Sequence, residues 1–471
     1  MKILLTGATG YIGKRILPVL VERGHRVVCC VRDKNRFTPP ASLLPHIEVL
    51  EVDFLEESHL EQIPADIDGA YYLLHSMSAS KNYQDLECRT ARHFRRTMEN
   101  TQVKHVVYLS GIINEEKLSD HLTSRKNVER ELSRGKYAFT TLRAGIIIGS
   151  GSASFEIIRD LIEKLPVMVA PKWLKTKCQP IAIRDVIRIL TSTIFNNDTY
   201  NQSFDIGGPD ILTYKEMLLG YARVRKLKRK IVTVPFMTPR LSSYWLYFVT
   251  STSYKLARAL VDSMRVNVVC SDTRINGILN ISPITYREAL ERAFIKIEQN
   301  EVLSSWKDAL ASGVMNIRIS DFLNVPRFGC FIDRRERKAR DREMTLDRIW
   351  RIGGSTGWYH ANFFWKLRGF IDQLSGGVGL NRGRTNPDQL HPGDAVDFWR
   401  VLYVNRKAGR LLLFAEMKMH GEAWLEFRIE DDRLVQTATF RPHGISGRVY
   451  WWLVHPFHHY VFSGLIRKLV E

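Results

Sequence analysis

Two rhythms of apolar and polar positions run along this chain. Between residues 2 and 110, short runs of consecutive apolar residues alternate with segments of helical spacing. Residues 3–5, 27–31, 47–52, 69–74 and 106–109 read as strands. After the first of them, Ile12, Ile16, Leu17 and Leu20 recur at the intervals of one helix face over residues 11–23, and Gly24 supplies a stop. Residues 81–100 and 121–135 read as polar amphipathic helices. Strands that are apolar throughout, rather than at alternate positions, are covered on both faces. The pattern therefore predicts a doubly wound α/β fold, a parallel Rossmann-type sheet with helices on either side. Residues 138–142 and 144–148 are expected to continue that sheet.

The rhythm then changes. Residues 150–300 mix helices with short strands and read as a smaller substrate lobe over the strand ends. Residues 395–441 alternate apolar and polar positions between turns, as antiparallel strands do. Residues 447–470 read as an aromatic helix. Of the 10 tryptophans, those at 350, 358, 365, 399, 424, 451 and 452 lie beyond residue 325. Two domains are expected: residues 1–300, including the lobe, and residues 325–471. The second is an α+β domain in which a curved antiparallel sheet is closed by a C-terminal helix, in the manner of a helix-grip fold.

Composition supports a globular chain of two or three domains: 471 residues, 45% apolar and 25% charged. The net charge of +19 favours anionic partners without choosing among nucleotides, anionic lipid and nucleic acid. Part of it is local, in Arg223, Arg225, Lys226, Lys228, Arg229 and Lys230. A second run, Arg334 to Glu343, is mixed in sign and is expected to be a solvated helix face. No helix-turn-helix, finger or base-stacking motif accompanies the charge, so nucleic acid is not an expected partner. The six cysteines have no CxxC spacing and read as buried thiols of a reducing cytoplasm. No secretion signal or long apolar span is apparent. The basic run 223–230, the aromatic segment 236–264 and the tryptophan-rich end leave peripheral contact with an anionic membrane open. His455, His458 and His459 share a helix face, but no carboxylate or cysteine joins them, so they read as packed side chains and no metal is expected.

Candidate chemistry begins at the turn after the first strand. Gly7, Gly10 and Gly13 are spaced GxxGxxG, with Thr9, Tyr11 and Ile12 between them, and they open a helix. Such a turn exposes N–H groups at a positive helix end to a pyrophosphate. Arg32, at the end of the second strand, suits a 2′-phosphate and favours NADP over NAD, although Asp33 follows it. Asp53 and Phe54 end the third strand. Asp53 can accept from an adenine amino group or cap the next helix. Leu74 ends the fourth strand and His75 and Ser76 follow it, where the cofactor's centre would run.

These residues, with 71–77 (YYLLHSM), 108–111 (YLSG), 142–145 (LRAG), 149–155 (GSGSASF), 180–185 (PIAIRD) and 207–213 (GGPDILT), resemble the atypical short-chain dehydrogenase/reductases, closest to their NmrA-like and triphenylmethane-reductase-like group. The motifs 352–354 (IGG), 376–383 (GGVGLNRG), 397–400 (DFWR) and 450–452 (YWW) resemble the DUF2867 domain fused to such proteins. The resemblance implies an NAD(P)-binding protein, but the chain departs from the Tyr-x-x-x-Lys of carbonyl-reducing members. In its place stand His121 and Arg125. Arg125 can bond ribose hydroxyls but cannot tune a partner by losing its proton, whereas His121 can donate one near neutral pH. Ser110 is the candidate catalytic hydroxyl. Three readings stand: an NADP(H)-dependent oxidoreductase acting on a small apolar substrate, a dinucleotide-binding sensor or scaffold without turnover, and a peripheral membrane or lipid-binding protein.

Overall fold

A computed structural model describes residues 1–34, 37, 39–74, 83–112, 120–150, 152–234, 261, 264, 266–298, 325, 330–375, 377, 379–380, 384 and 386–471. Their contacts divide the chain into two units, one up to residue 298 and one from residue 325.

The first unit opens with β1 (Lys2–Thr6), α1 (Gly13–Glu22), β2 (Arg26–Val31), β3 (Ile47–Glu51), α2 (Glu57–Leu60), β4 (Gly69–Tyr72), α3 (Tyr83–Glu99), β5 (His105–Gly111), α4 (Asp120–Leu132) and β6 (Ala138–Ala144). It continues through β7 (Ile147–Ile148), α5 (Ala153–Lys164), β8 (Val167–Pro171), β9 (Lys177–Cys178), β10 (Ile181–Ala182), α6 (Ile183–Thr193), β11 (Gln202–Ile206), β12 (Leu212–Thr213), α7 (Tyr214–Val224), β13 (Lys230–Val234), α8 (Arg274–Ile278) and α9 (Tyr286–Glu298).

Seven strands form one sheet in the order β11-β6-β5-β4-β1-β2-β3, and every pairing in it is parallel. The continuous apolar runs explain this. Ile3, Leu4 and Leu5 are all fully buried, but Ile3 and Leu5 join a core under α1 and α6, while Leu4 joins one under α3 and α4. Alternate side chains thus feed two helical layers, which makes the sheet a doubly wound Rossmann-type sheet. The strand order reverses at β1, which has β2 on one side and β4 on the other. The crevice beyond the carboxyl ends of those strands is where such sheets hold ligands.

Residues 144–148 correct the expectation that they extend this sheet. β6 ends at Ala144, and β7 pairs with β10 in a separate two-stranded sheet. The chain leaves the sheet at Gly145, where a Cβ would stand 3.0 Å from the Gln179 carbonyl. β7–β10, with the pairs β9–β12 and β8–β13, belongs to a lobe whose core draws on α5, α7 and α9.

The second unit comprises β14 (Phe331–Lys338), α10 (Arg342–Trp350), α11 (Asn362–Leu374), β15 (Ala395–Val396), β16 (Trp399–Asn405), β17 (Arg410–Ala415), β18 (Gly421–Glu430), β19 (Arg433–Pro442) and α12 (Gly444–Val470). Its six strands form an antiparallel sheet in the order β14-β19-β18-β17-β16-β15, and α12 packs on β19 and β14. Trp350, Trp358, Trp365 and Trp399 lie in its core.

The charged run 334–338 is therefore an edge strand, not the helix face expected of it. Its period of two is hidden because charged side chains occupy both faces. Asp333 and Arg335 turn toward α12, where His458 Nδ1 lies 3.3 Å from Asp333 and His459 Nδ1 lies 3.1 Å from Arg335. Charge on an edge strand also discourages pairing with another chain.

Cys29, Cys30 and Cys178 are buried; Cys88, Cys270 and Cys330 are partly so. Burial pushes the Cys29 thiol up to about 12. Among the described residues no helix is long and apolar enough to cross a membrane.

Candidate dinucleotide site

The turn between β1 and α1 is built by contacts that exclude side chains. Gly7 has φ +67°, a left-handed conformation, and a Cβ there would lie 2.8 Å from the Leu73 carbonyl oxygen. A Cβ on Gly13 would lie 2.2 Å from the Gly7 oxygen. The Gly10 N–H donates to that same oxygen at 2.8 Å. Thr6 fastens the turn to the neighbouring strand: its hydroxyl donates to the Tyr71 carbonyl and accepts the Leu73 N–H, both at 3.0 Å.

The hydrogen bonds then skip three residues. Lys14 N–H donates to Gly10 and Ile16 N–H to Ile12, but the N–H groups of Tyr11, Ile12 and Gly13 have no partner among the described residues. No acidic residue occupies the first turn of α1. Three successive free donors at the positive end of a ten-residue helix form a cradle of the kind that binds phosphate. A pyrophosphate fits this donor set.

The Tyr11 main chain lies in the turn, while its ring packs under Arg15. Burial pushes its hydroxyl up to about 12, with Arg15 opposing the shift. The Arg15 guanidinium lies 3.9 Å over the ring and donates to the Ser150 carbonyl at 2.8 Å. Gly149 makes room, since a Cβ there would stand 2.8 Å from the Tyr11 hydroxyl. Thr9 and Ile12 are half-buried in the turn.

Arg32 is exposed just past β2, whereas Asp33 is buried beside it. Asp53 is not the expected helix cap. Its carboxylate accepts the Leu55 N–H at 3.0 Å, a local turn, and α2 starts only at Glu57 with Glu56 before it. The Phe54 ring lies in the core 5.6 Å from Phe94, and its carbonyl accepts from His93 Nδ1 at 2.7 Å. Leu74 is half-buried. His75 and Ser76 lie outside the described residues.

Ser110 and Arg125, the two catalytic candidates whose side chains are described, do not share one exposed surface. Ser110 follows Tyr108 on the same face of β5, and its Oγ is fully covered beside the Tyr108 hydroxyl. Burial pushes Tyr108 up to about 12, against the pull of nearby Arg125. Arg125 is half-buried on α4. His121 lies one turn before it, and its side chain is outside the described residues. Glu129 is taken up by Arg143, at 2.6 Å, and by Ser203, at 3.0 Å. A groove of about 790 Å³ beside α4 is lined by Lys126, Glu129, Arg143 and Ser203 on the outer edge of the sheet, away from β1 and β4.

Sequence reasoning missed Thr6 and Arg15. Arg15 acts on a segment 135 residues away, and no local spacing signals that.

Two regions of the chain match known families. Residues 7–159 match the NAD(P)H-binding family model, and residues 329–465 match the model described as protein of unknown function (DUF2867). The divinyl chlorophyllide a 8-vinyl-reductase of Zea mays is 23% identical over 222 residues, which are 44% of this chain and 55% of that protein. The 40 kDa subunit of Neurospora crassa NADH-ubiquinone oxidoreductase is 22% identical over 236 residues, 49% of this chain and 61% of that one. The chain thus spans about half the length of the curated relatives it matches. The fold recurs in the triphenylmethane reductase of Citrobacter sp., with a TM-score of 0.51 at 15% identity over 63% of this chain and 100% of that one. It recurs also in the NADPH-dependent quinone oxidoreductase QOR2 of Escherichia coli with NADPH, with a TM-score of 0.51 at 16% identity over 62% of this chain and 99% of that one. The chain therefore joins a region that matches the NAD(P)H-binding family to one that matches DUF2867, the pairing its motifs resemble.

Proposed function

We propose that the first unit binds NADP(H), with NAD(H) as the weaker ligand, and reduces a small apolar acceptor held by the lobe of residues 150–300. The observation that carries this reading is the row of free N–H groups at Tyr11, Ile12 and Gly13, set in the crevice between β1 and β4. Arg32, exposed at the end of β2, can reach a 2′-phosphate. Asp53 remains a candidate acceptor at the adenine end, and Leu74, His75 and Ser76 remain candidates further along. The proposed domains are residues 1–300 and 325–471.

The reduced nicotinamide supplies a hydride when bound; a quinone acceptor then needs one proton, whereas a cationic triphenylmethane dye is neutralised by the hydride and needs none. His121 is the candidate donor of that proton. Arg125 holds ribose hydroxyls as a permanent cation. Ser110, covered by the protein, supplies neither. The relatives' names supply an acceptor class for testing, since they include ubiquinone, quinone and triphenylmethane dyes.

A second reading, a dinucleotide sensor without turnover, is favoured by the covered Ser110 and by arginine where the family resemblance has lysine. Titration of the full chain with NADPH and NADH, followed by NADPH oxidation with quinones and triphenylmethane dyes, decides between them. The expected result is NADPH binding and acceptor-dependent oxidation, which His121→Phe abolishes with quinones and spares with cationic dyes. Binding without oxidation selects the sensor. No binding of either dinucleotide removes both.

A further inference from the structure

Two helices of the second unit each present an apolar face to solvent. On α11, Phe363, Leu367, Phe370, Ile371 and Leu374 fall on one side and are exposed, Phe363 by 70% and Leu374 by 61%. On α12, Val449, Trp452, Leu453, Phe457 and Tyr460 do the same, with Trp452 and Leu453 each 69% exposed. The opposite sides of both helices carry the buried residues, Trp365 and Asp372 on α11 and Trp451, Phe462 and Leu465 on α12. The outward apolar faces are therefore additional to those that hold the fold.

The two faces are contiguous. The Phe364 ring lies 5.7 Å from Phe457 and 6.1 Å from Tyr460, and 5.8 Å from Phe363. Arg368, further along α11, lies 5.8 Å over Tyr450, which comes earlier in α12. The helices thus run antiparallel and side by side. Five rings more than half exposed, each able to bury about 150–250 Å², contribute on the order of 500 Å² between them before the aliphatic groups are added. That alone matches the largest apolar patch of a typical monomer, about 300–600 Å².

Charge identifies the occupant. α11 and α12 carry a single carboxylate, Asp372. It is fully buried and accepts the N–H groups of Gly379, at 2.8 Å, and Lys418, at 2.6 Å. The exposed polar residues bordering the faces include Lys366, Arg448, His455 and His459. A protein partner meets a rim of mixed polarity. An apolar centre rich in tryptophan and phenylalanine, with a basic border and no exposed acid, suits the boundary between headgroups and acyl chains of an anionic bilayer. Neither helix is long and apolar enough to cross one, so contact lies in the plane of the surface.

We propose that the α11–α12 face docks on an anionic phospholipid surface, with Trp452, Leu453 and Phe363 in the acyl boundary and Lys366 and Arg448 at the phosphates. The test is co-sedimentation of the full chain with vesicles of phosphatidylcholine alone and of phosphatidylcholine mixed with phosphatidylglycerol. The expected result is binding to the mixed vesicles that weakens as salt rises. The double variant Trp452→Ser/Leu453→Ser and the double variant Lys366→Glu/Arg448→Glu should each lower it about tenfold or more. All four positions are exposed, so an unchanged far-ultraviolet circular dichroism spectrum and melting temperature certify the fold. The proposal is overturned if the wild type stays in the supernatant with mixed vesicles, binds both kinds equally, or binds no better than the variants. A solution dimer that Trp452→Ser converts to monomer, with no vesicle binding, assigns the face to a second copy instead.

Discussion

The carbonyl oxygen of Leu73 stands 2.8 Å from the place a Cβ on Gly7 would occupy. The end of β4 and the turn after β1 are thus in contact at the point where strand order reverses. Gly7→Ala would force either the carbonyl or the turn to move, and it would place alanine at φ +67°. The left-handed conformation alone costs roughly 1–2 kcal/mol. The expected outcome is a lower melting temperature and at least about tenfold weaker NADPH binding, read by calorimetry, because the N–H groups that follow the turn lose their alignment. Unchanged binding would separate the turn from the cofactor.

Arg32 is the residue on which preference for the 2′-phosphate should turn. A charge-assisted hydrogen bond contributes about 1.5–3 kcal/mol. Arg32→Glu is expected to weaken NADPH binding roughly ten- to hundredfold while leaving NADH binding within a factor of about two. Because Arg32 is exposed, the fold should be unaffected. Equal loss for both dinucleotides would move the selection elsewhere, with buried Asp33 next in line.

The sequence made the doubly wound sheet legible because strands covered on both faces cannot hide: Ile3, Leu4 and Leu5 are consecutive and all buried. The glycine turn was legible for the same kind of reason, since its constraint is local. What failed had no local signature. Residues 144–148 are as apolar as a sheet strand, and the partner that takes up Ile147 and Ile148, β10, is distant in sequence. Arg334 to Lys338 form a strand because β19 offers its edge, which composition cannot reveal. The tryptophans are equally apolar in sequence, and only the packed helices show that Trp451 is buried while Trp452 is exposed.

In the second unit, Arg400 and Glu416 are both fully buried and bond in a fork, at 3.1 and 2.9 Å, while Arg400 also donates to the Gly393 carbonyl at 2.7 Å. Removing one charge strands the other. Arg400→Met is expected to cost about 3–5 kcal/mol. The double variant Arg400→Met/Glu416→Leu should recover most of that, since a well-packed apolar pair often equals a buried ion pair. Urea unfolding followed by tryptophan fluorescence measures both. A double variant as unstable as the single one would show that packing, not charge, sets the cost.

His105 should give the first unit an acid-sensitive stability. Its side chain is wholly buried: Nε2 donates to the Thr140 hydroxyl at 2.9 Å, and Nδ1 accepts the Phe195 N–H at 3.0 Å. The Thr140 hydroxyl passes the chain on to the Thr199 carbonyl at 2.6 Å. Protonating Nδ1 would break the bond to Phe195, a residue already held at φ 62°. Burial lowers the imidazole from its ordinary 6.5 to about 4. The native state therefore keeps the ring neutral while the unfolded chain takes up a proton. The stabilisation is complete above pH 6.5 and is lost as pH falls toward 4, by about 3 kcal/mol in all. Urea unfolding of the wild type at several pH values should show this slope, and His105→Gln should flatten it while lowering stability at neutral pH. A wild type and variant with parallel pH profiles would mean that the ring takes up its proton equally in both states.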